Sequence, residues 1–144
     1  IMDIVYTKTI REEEGGTYGV GVMGQLIKIP SNSYLFLIAF DTNDDIYQQL
    51  INKVYEGLED VATNGPRQED LNKVVEKLYK KRAENLEENS FHTSAIKTLV
   101  DDGINIIAEY DEIVKSMTVE SIADFTKEIL KSYKKEIVQL PLRQ

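Results

Sequence analysis

Apolar and polar residues along this chain follow two different periods, and the period changes near residue 41. Before that point a helical stretch is followed by two runs typical of strands; after it, apolar residues recur every three or four positions, as in amphipathic helices. The elements predicted from this pattern are, in order, a helix over about 1–13, strands over 17–29 and 34–40, helices over about 42–64, 68–89, 91–102, 105–117 and 118–132, and a last strand over 136–142.

Turn and capping residues mark the ends of these elements. Gly15–Gly16 follows the first helix, Pro30 with residues 31–33 separates the two strands, and Gly65–Pro66 follows the next helix. The predicted N-caps are Thr42, paired with Asp45, and Thr118. The short connection between the strands predicts a β-hairpin. Its second strand is apolar on both faces, which is typical of a central strand.

The order of the elements predicts one α+β domain over residues 1–144, in which helices pack on one face of an antiparallel sheet. No internal repeat or low-complexity linker divides the chain. The first helix is expected to be amphipathic, with Ile1, Ile4, Val5 and Lys8 on one stripe, and no N-cap residue precedes it. We therefore expect the chain to be N-terminally truncated, as a piece of a longer protein.

The composition of the chain argues against nucleic acid as a partner, and it excludes cysteine chemistry. The net charge of −8 makes nucleic acid an unexpected partner, because an acidic surface repels phosphate backbones. The absence of cysteine excludes disulfides, thiolate zinc sites and cysteine nucleophiles. No apolar run approaches the ~20 residues that a membrane-spanning helix needs.

Neither the histidine nor the acidic runs form a recognisable site. His92 is the only histidine, which excludes two-histidine zinc motifs within this chain and predicts a surface or capping role near a helix start. The acidic runs expected to be solvated are Glu12–Glu14, Asp44–Asp45, Glu87–Glu88 and Asp101–Asp102. The stretch GGTYGVG lacks the spacing and the lysine of a phosphate loop. We predict no metal and no nucleotide site in this chain.

Arg11 and Tyr18, on either side of the diglycine, allow two interpretations. In the first, Arg11 is a cation near a helix C-terminus and Tyr18 is an ordinary strand aromatic. In the second, the turn holds a guanidinium and a phenol together as hydrogen-bond donors for a carbonyl or an oxyanion. Alternate glycines at Gly19 and Gly21 favour the second, because they cost strand stability and often mark close approach by another backbone.

The stretch IREEEGGTYGVGV at 10–22 resembles the C-terminal half of pitrilysin/insulysin-type zinc peptidases, the inverzincin family that includes the mitochondrial processing peptidases. Members carry an arginine and, seven positions later, a tyrosine, and Arg11 and Tyr18 match that spacing. The resemblance continues through YLFLIAFDT, NGPRQEDLNKVVEKL, RAENLEENSFHTSAI, MTVESIADFTKEIL and IVQLPL, and so covers nearly the whole chain. Bacterial members are the most similar, which suggests the periplasm, although the residues themselves do not indicate a compartment.

The resemblance implies a substrate-binding domain that holds no zinc. In this family two halves close on a peptide, and the N-terminal half, in the same or a partner chain, holds zinc through H-x-x-E-H and a downstream glutamate. Arg11 would contact a main-chain carbonyl of the peptide substrate, and Tyr18 would donate to the oxyanion. The parent protein would be a zinc metallopeptidase, whereas this chain alone would bind no cofactor and hydrolyse no peptide.

Two departures from the family pattern leave alternatives open. The family domain begins with at least one strand before the first helix, and without it we expect an exposed sheet edge at which a second copy could pair as a homo-oligomer. Some members have degenerate domains. An inactive scaffold, or a domain that binds a peptide or partner without proteolysis, therefore remains the alternative function.

Overall fold

The computed structural model describes residues 1–13, 17, 19–28 and 31–139, and these residues form an α+β fold. The elements are, in chain order, α1 Met2–Tyr6, a π-helix at Thr7–Glu13, β1 Val20–Ile27, β2 Ser33–Phe40, α2 Tyr47–Asn64, α3 Gln68–Leu86, α4 Asn89–Asp102, α5 Tyr110–Ser116 and α6 Val119–Lys131. They group into two compact units, Ile1–Gly65 with Ala123–Gln144, and Pro66–Ile122. A single domain over residues 1–144 stays a prediction.

The first unit contains the sheet, which is the predicted β-hairpin. β1 and β2 pair antiparallel, with Val20 opposite Phe40 and Ile27 opposite Ser33. Each strand is the other's only partner among the described residues, so each has an outer edge that pairs with no further strand there.

The two faces of the hairpin differ in exposure. The half-buried face contains Val20, Val22, Phe36, Ile38 and Phe40. On this side α1 and the π-helix contact β1, so helices pack on one face of the sheet, as predicted. The other face carries apolar side chains that remain exposed, namely Met23 at 50%, Leu35 at 44% and Leu37 at 44%. The prediction that the second strand is a central strand buried on both faces is therefore wrong for the described chain, because neither a further strand nor a covering layer meets it there.

Helix α2 supplies the core against which the N-terminal helices pack. Its buried residues are Leu50, Gly57, Leu58, Val61 and Ala62. The predicted cap at Thr42 with Asp45 is wrong, since the N-cap is Ile46 and makes no side-chain cap hydrogen bond. The predicted end is confirmed, because the N–H of Gly65 donates to the Val61 carbonyl over 2.9 Å.

The second unit is helical and is held by side chains that bond to backbone carbonyls. Arg82 donates to the Ile107 carbonyl over 2.6 Å, and its guanidinium carbon lies 4.3 Å from the centre of the Tyr110 ring. The Tyr110 hydroxyl donates to the Leu78 carbonyl over 2.8 Å. Between residues 105 and 117, where a helix was predicted, the helix is limited to Tyr110–Ser116.

The segment after α6 forms no strand over residues 136–139, the described part of the strand predicted at 136–142. Residues 136–139 have no regular secondary structure, and 140–142 lie outside the described residues. Instead, the Tyr55 hydroxyl of α2 donates to Glu136 Oε1 over 2.8 Å, and Lys134 Nζ donates to the Leu130 carbonyl over 2.8 Å. This part of the segment is therefore held by side-chain contacts to helices, and its backbone does not pair with a strand of the hairpin.

The start of α6 is as predicted. The Thr118 hydroxyl accepts from the Ser121 N–H over 3.1 Å, and the Ser121 hydroxyl accepts from the Thr118 N–H over 2.8 Å. This reciprocal pair has the arrangement of a capping box. Phe125 is exposed, and its ring centre lies 5.5 Å from that of Tyr34 on β2. Across the described ranges, no helix is both long and apolar enough to cross a membrane.

Candidate functional site

Arg11 lies in the last turn of the π-helix, with its side chain exposed. The helix predicted over 1–13 is confirmed, but its second half is a π-helix, in which each N–H bonds to the carbonyl five residues back. Tyr18 and the diglycine lie outside the described residues. The prediction that the turn holds Arg11 and Tyr18 together therefore stays a prediction.

The helical segment that carries Arg11 is fixed by three buried side chains spaced four residues apart. Met2 is nearly fully buried, and Tyr6 and Ile10 are both 0% exposed. Of the predicted stripe, Ile1, Ile4 and Val5 are half-buried and Lys8 is exposed, and the fully buried positions lie beside it at Met2, Tyr6 and Ile10. The side of the segment that contains Tyr6 and Ile10 packs on α2, and this contact fixes its rotation about the helix axis.

Tyr6 is the strongest of these anchors. Its hydroxyl donates to the Val54 carbonyl over 2.9 Å, which links α1 to a residue 48 positions away. Its ring lies against Gly57, where an added Cβ would be 2.8 Å from Tyr6 Cε1. Burial raises the pKa of Tyr6 above the ordinary value of a phenol, because the charged form would be desolvated. Glycine at position 57 allows α1 and α2 to approach this closely.

Two threonines, one before and one after residues 14–16, make local hydrogen bonds. The Thr9 hydroxyl donates to the Val5 carbonyl, four residues back, over 3.0 Å. The Thr17 hydroxyl donates to the Gly19 carbonyl over 2.9 Å and accepts from the Gly19 N–H over 3.2 Å. Side-chain bonds of this kind compete with regular backbone bonding, so they are found where helices bend and strands begin.

The glycines of β1 meet no other backbone at close range within the described chain. A Cβ added at Gly19 or Gly24 would have nothing within 4 Å, and one added at Gly21 would lie 3.8 Å from the Ala39 carbonyl oxygen, an ordinary contact. The close approach expected from the alternate glycines is therefore not made by this part of the chain, and the surface over Gly19 and Gly21 is open.

The described residues do not provide a zinc site. Within the ranges that the structure covers, no group of three or more histidine or carboxylate side chains could hold a metal ion. His92, near the start of α4, is exposed, and its Nε2 lies 2.9 Å from the Leu86 carbonyl, to which it can donate. The acidic pairs at 44–45, 87–88 and 101–102 are exposed, as predicted. We therefore assign no reaction step to a metal bound by these residues.

Comparison with known proteins places these features in a family. Residues 2–78, more than half of the chain, match the family model of the peptidase M16 inactive domain. The chain belongs to the peptidase M16 inactive-domain family. This confirms the resemblance to the C-terminal domain of pitrilysin/insulysin-type peptidases that the sequence predicted. The matched residues of the M16 domain include both Arg11 and Tyr18.

A solved structure supports the fold of this M16 domain. It is similar to the crystal structure of the periplasmic protease PqqL from Escherichia coli, with a TM-score of 0.71 and 17% sequence identity, over 88% of this chain and 14% of that chain. At this identity the likeness concerns the fold alone, and the M16 domain spans only a small part of the PqqL chain. No curated protein matches the chain.

Sequence reasoning located Arg11 but missed the residues that support it. Met2, Tyr6 and Ile10 are apolar or aromatic at intervals of four, which is a usable signal for a buried helix face. A glycine in the middle of a long helix, as at Gly57, is a second signal, since glycine there costs helix stability and indicates a packing reason.

Proposed function

We propose that this M16 domain is the substrate-binding, non-zinc part of a zinc-dependent metallopeptidase that hydrolyses peptides. The observation that carries the proposal is the family match over residues 2–78, which spans Arg11 and Tyr18. The exposed position of Arg11 at the end of an anchored helical segment supports it, because the guanidinium is accessible while its backbone is fixed.

In this proposal Arg11 binds the peptide and Tyr18 acts on the transition state. A guanidinium offers five N–H donors and no acceptor, so it can donate to a main-chain carbonyl of an extended peptide. A phenol donates one hydrogen bond, which suits the oxyanion that develops as the peptide bond is attacked. Loss of one such donor typically costs about 2.7–4 kcal/mol in the transition state.

Zinc is assigned to another domain in this proposal. The described residues of this chain do not bring together a set of metal ligands, and His92 is engaged at the helix surface. The metal would be held by an N-terminal half in the same or a partner chain, where it would supply the Lewis acid and the nucleophile. This chain would contribute binding and orientation of the peptide.

The test uses the full-length protein with its zinc-binding half. We expect Tyr18→Phe to lower kcat by about 10²–10³ with little change in KM, because its interaction is made mainly in the transition state. We expect Arg11→Ala to raise KM, because its contact is made in the bound substrate as well. Matched controls are Lys8→Ala, an exposed cation on the same helix, and Tyr133→Phe, an exposed phenol. Unchanged kcat in Tyr18→Phe would exclude Tyr18 from the mechanism.

The alternative is a scaffold that binds a peptide or a partner without cleaving it. It is favoured by the exposed apolar face of the hairpin, with Met23, Leu35 and Leu37, which resembles a surface for another protein segment. The same experiment separates the two functions. A full-length protein that binds peptides but releases no product, even with zinc supplied, supports the scaffold.

The outer edges of the hairpin support a further part of the proposal, self-association of the isolated chain. Neither β1 nor β2 has a second partner strand among the described residues, and open edges pair with other strands. We expect the 144-residue chain to form dimers or larger assemblies. Multi-angle light scattering checks this, and a monodisperse monomer at high concentration contradicts it.

A further inference from the structure

Helix α4 of the second unit exposes three apolar side chains. Ile96 is 63% exposed, Leu99 45% and Val100 77%. Residues three and four apart are neighbours on a helix, so these three share one side of it, called here the α4 stripe. α4 packs against α3, and its buried or half-buried positions share a different side. These positions are Phe91, Ala95 and Thr98. The α4 stripe stays exposed in the described part of the chain.

The α4 stripe does not stabilise the isolated chain. Single exposed apolar residues are common on protein surfaces, but three that adjoin one another form a patch. Side chains that remain this exposed gain little from removal of apolar surface from water. Ile96 and Val100 are also β-branched, which lowers helix propensity slightly. Contact with another molecule would remove the cost of exposing this side of α4.

The stretch of chain around the α4 stripe is strongly acidic. Residues 87–109 run from the C-cap of α3 to the N-cap of α5 and contain five carboxylates and one lysine. With His92 counted as neutral, they carry −4 of the chain's net charge of −8. A partner for this part of the second unit therefore meets negative charge around the apolar side chains.

Two of these carboxylates lie where a helix does not favour them. Asp101 and Asp102 end α4, and its last turn contains no basic residue. The C-terminus is the negative end of the helix dipole, so acidic residues there are unfavourable. Asp101 forms an ion pair with Lys97 one turn earlier, but both side chains are exposed, and such pairs contribute little to stability. The stability of α4 thus does not account for the charge at this end.

The apolar stripe and its acidic surroundings together favour one class of partner. An exposed stripe on a helix is complemented by the apolar side of a second helix, which reads it through residues three and four apart. The acidic surroundings are complemented by basic residues beside that apolar side. A second copy of this chain would bring two acidic stretches together, and anionic lipids would also repel them.

We infer that the α4 stripe is the docking surface for a basic amphipathic helix of a partner protein. The apolar side of that helix covers Ile96, Leu99 and Val100. Its lysine or arginine side chains reach Asp101 and Asp102, where they also meet the negative end of the α4 dipole. This binding function goes beyond the proposed function and does not depend on Arg11.

The test measures binding of a synthetic helix to the 144-residue chain by fluorescence anisotropy. The probe is a fluorescein-labelled peptide of about 18 residues, or five turns, with leucine at intervals of three and four and lysine or alanine elsewhere. The control peptide has glutamate in place of each lysine. We expect the lysine peptide to bind at least about tenfold more tightly at low salt, and this advantage to fall in about 1 M salt. No binding of the lysine peptide, or equal binding of both, overturns the inference.

A pair of serine substitutions locates the apolar contact. Ile96→Ser with Val100→Ser should weaken binding of the lysine peptide by about tenfold or more, because buried apolar anchors dominate small interfaces. The control is Ile137→Ser with Val138→Ser, which removes two exposed apolar side chains after α6. We expect the control to change the affinity by less than about twofold.

A pair of asparagine substitutions tests the charge. Asp101→Asn with Asp102→Asn should weaken binding by about threefold or more at low salt, chiefly through slower association. The control is Asp44→Asn with Asp45→Asn, which removes the same charge from an exposed pair before α2 and should change the affinity by less than about twofold. The first variant should not lower the Tm, because acids at a helix C-terminus are unfavourable. If the serine pair unfolds the chain, the asparagine pair decides.

The outcomes separate this partner from the other occupants. If the folded variants of the α4 stripe and of its acidic end bind the lysine peptide as the wild type does, the peptide binds elsewhere and the inference is overturned. Dimers seen by light scattering in the wild type and lost in the serine pair would place a second copy on the stripe, which also overturns it. Binding to anionic vesicles that the serine pair abolishes would assign the stripe to a membrane surface and overturn it likewise. The peptidase assays of Arg11 and Tyr18 test the proposed function separately.

Discussion

Replacing Gly57 by alanine tests the contact that holds the Arg11-bearing segment on α2. The added Cβ would lie 2.8 Å from Tyr6 Cε1, 3.4 Å from Val5 Cγ1 and 3.5 Å from Tyr6 Cδ1. Carbon atoms do not approach to 2.8 Å without displacement. The Tyr6 ring cannot move aside freely, because it is fully buried and its hydroxyl is bonded to the Val54 carbonyl.

Three terms set the size of the effect. Overpacking a buried contact costs about 1–3 kcal/mol. Displacing the ring weakens the hydrogen bond to Val54, worth about 0.5–1.5 kcal/mol. Replacing glycine by alanine inside a helix stabilises the folded protein by about 1 kcal/mol. The net expectation for Gly57→Ala is a loss of about 0.5–3.5 kcal/mol in the free energy of unfolding, although alanine is the better helix former.

Urea unfolding of the 144-residue chain, followed by circular dichroism, measures this loss. The decisive comparison places Gly57→Ala in a Tyr6→Leu background, where the smaller side chain leaves room for the added methyl. There we expect the substitution to be neutral or to stabilise by up to about 1 kcal/mol, from helix propensity alone. Equal destabilisation in both backgrounds would refute the assignment of the cost to the Tyr6 ring.

Three further predictions concern charge and backbone geometry. Burial would raise the pKa of Asp70, but hydrogen bonds from Arg67 and Lys73 outweigh this effect and hold the pKa below 3.8. We therefore expect Asp70→Asn to lower the free energy of unfolding in urea by about 1–2 kcal/mol at pH 7. The loss should become smaller as the pH falls below 3.8, because the carboxylate is then protonated in the wild type as well. Because the pKa of Tyr6 is raised in the folded protein, the stabilisation that its protonated phenol gives the fold is complete below pH 10 and is lost as the pH rises further. Unfolding measurements should show this decline in the wild type and not in Tyr6→Phe. Gly103, the C-cap of α4, has a φ of 72°, and an added Cβ would meet no other atom within 4 Å. Gly103→Ala should therefore lower the free energy of unfolding by about 1–2 kcal/mol through backbone strain alone, and so lower the Tm. An unchanged Tm would contradict this.

Residues with strong local preferences made much of the fold predictable. The C-caps at Gly65 and Gly103, the N-cap at Thr118 and the short hairpin connection each depend on chemistry within a few residues, and the elements they delimit were predicted to within a few positions. Where the local signal was weak the prediction failed, as at Thr42, because α2 begins after Ile46, which has no capping side chain.

Features that depend on contacts between distant parts of the chain could not be predicted from local sequence preferences. The segment 136–139 has the composition of a strand, yet Glu136 is held by Tyr55, 81 residues away. The π-helix has no propensity signature, so the change of helix type after Tyr6 was not predicted. At the site, Arg11 was found from its spacing to Tyr18 within a family pattern, whereas its supports Tyr6 and Gly57 became evident only from packing.

The hydrogen bond from Tyr6 to Val54 has a consequence for the order in which the protein assembles. The helical segment Met2–Glu13 has five α-helical and seven π-helical residues, which is at the lower limit of the ~12–15 that an isolated helix needs in water, so its helical form depends on docking to α2. Translation adds about 5–20 residues per second, so the docking surface emerges about 2–10 s after Tyr6 is made. The backbone around Arg11 therefore takes its final shape only after α2 exists, and a nascent chain arrested before Val54 would carry the arginine without its support.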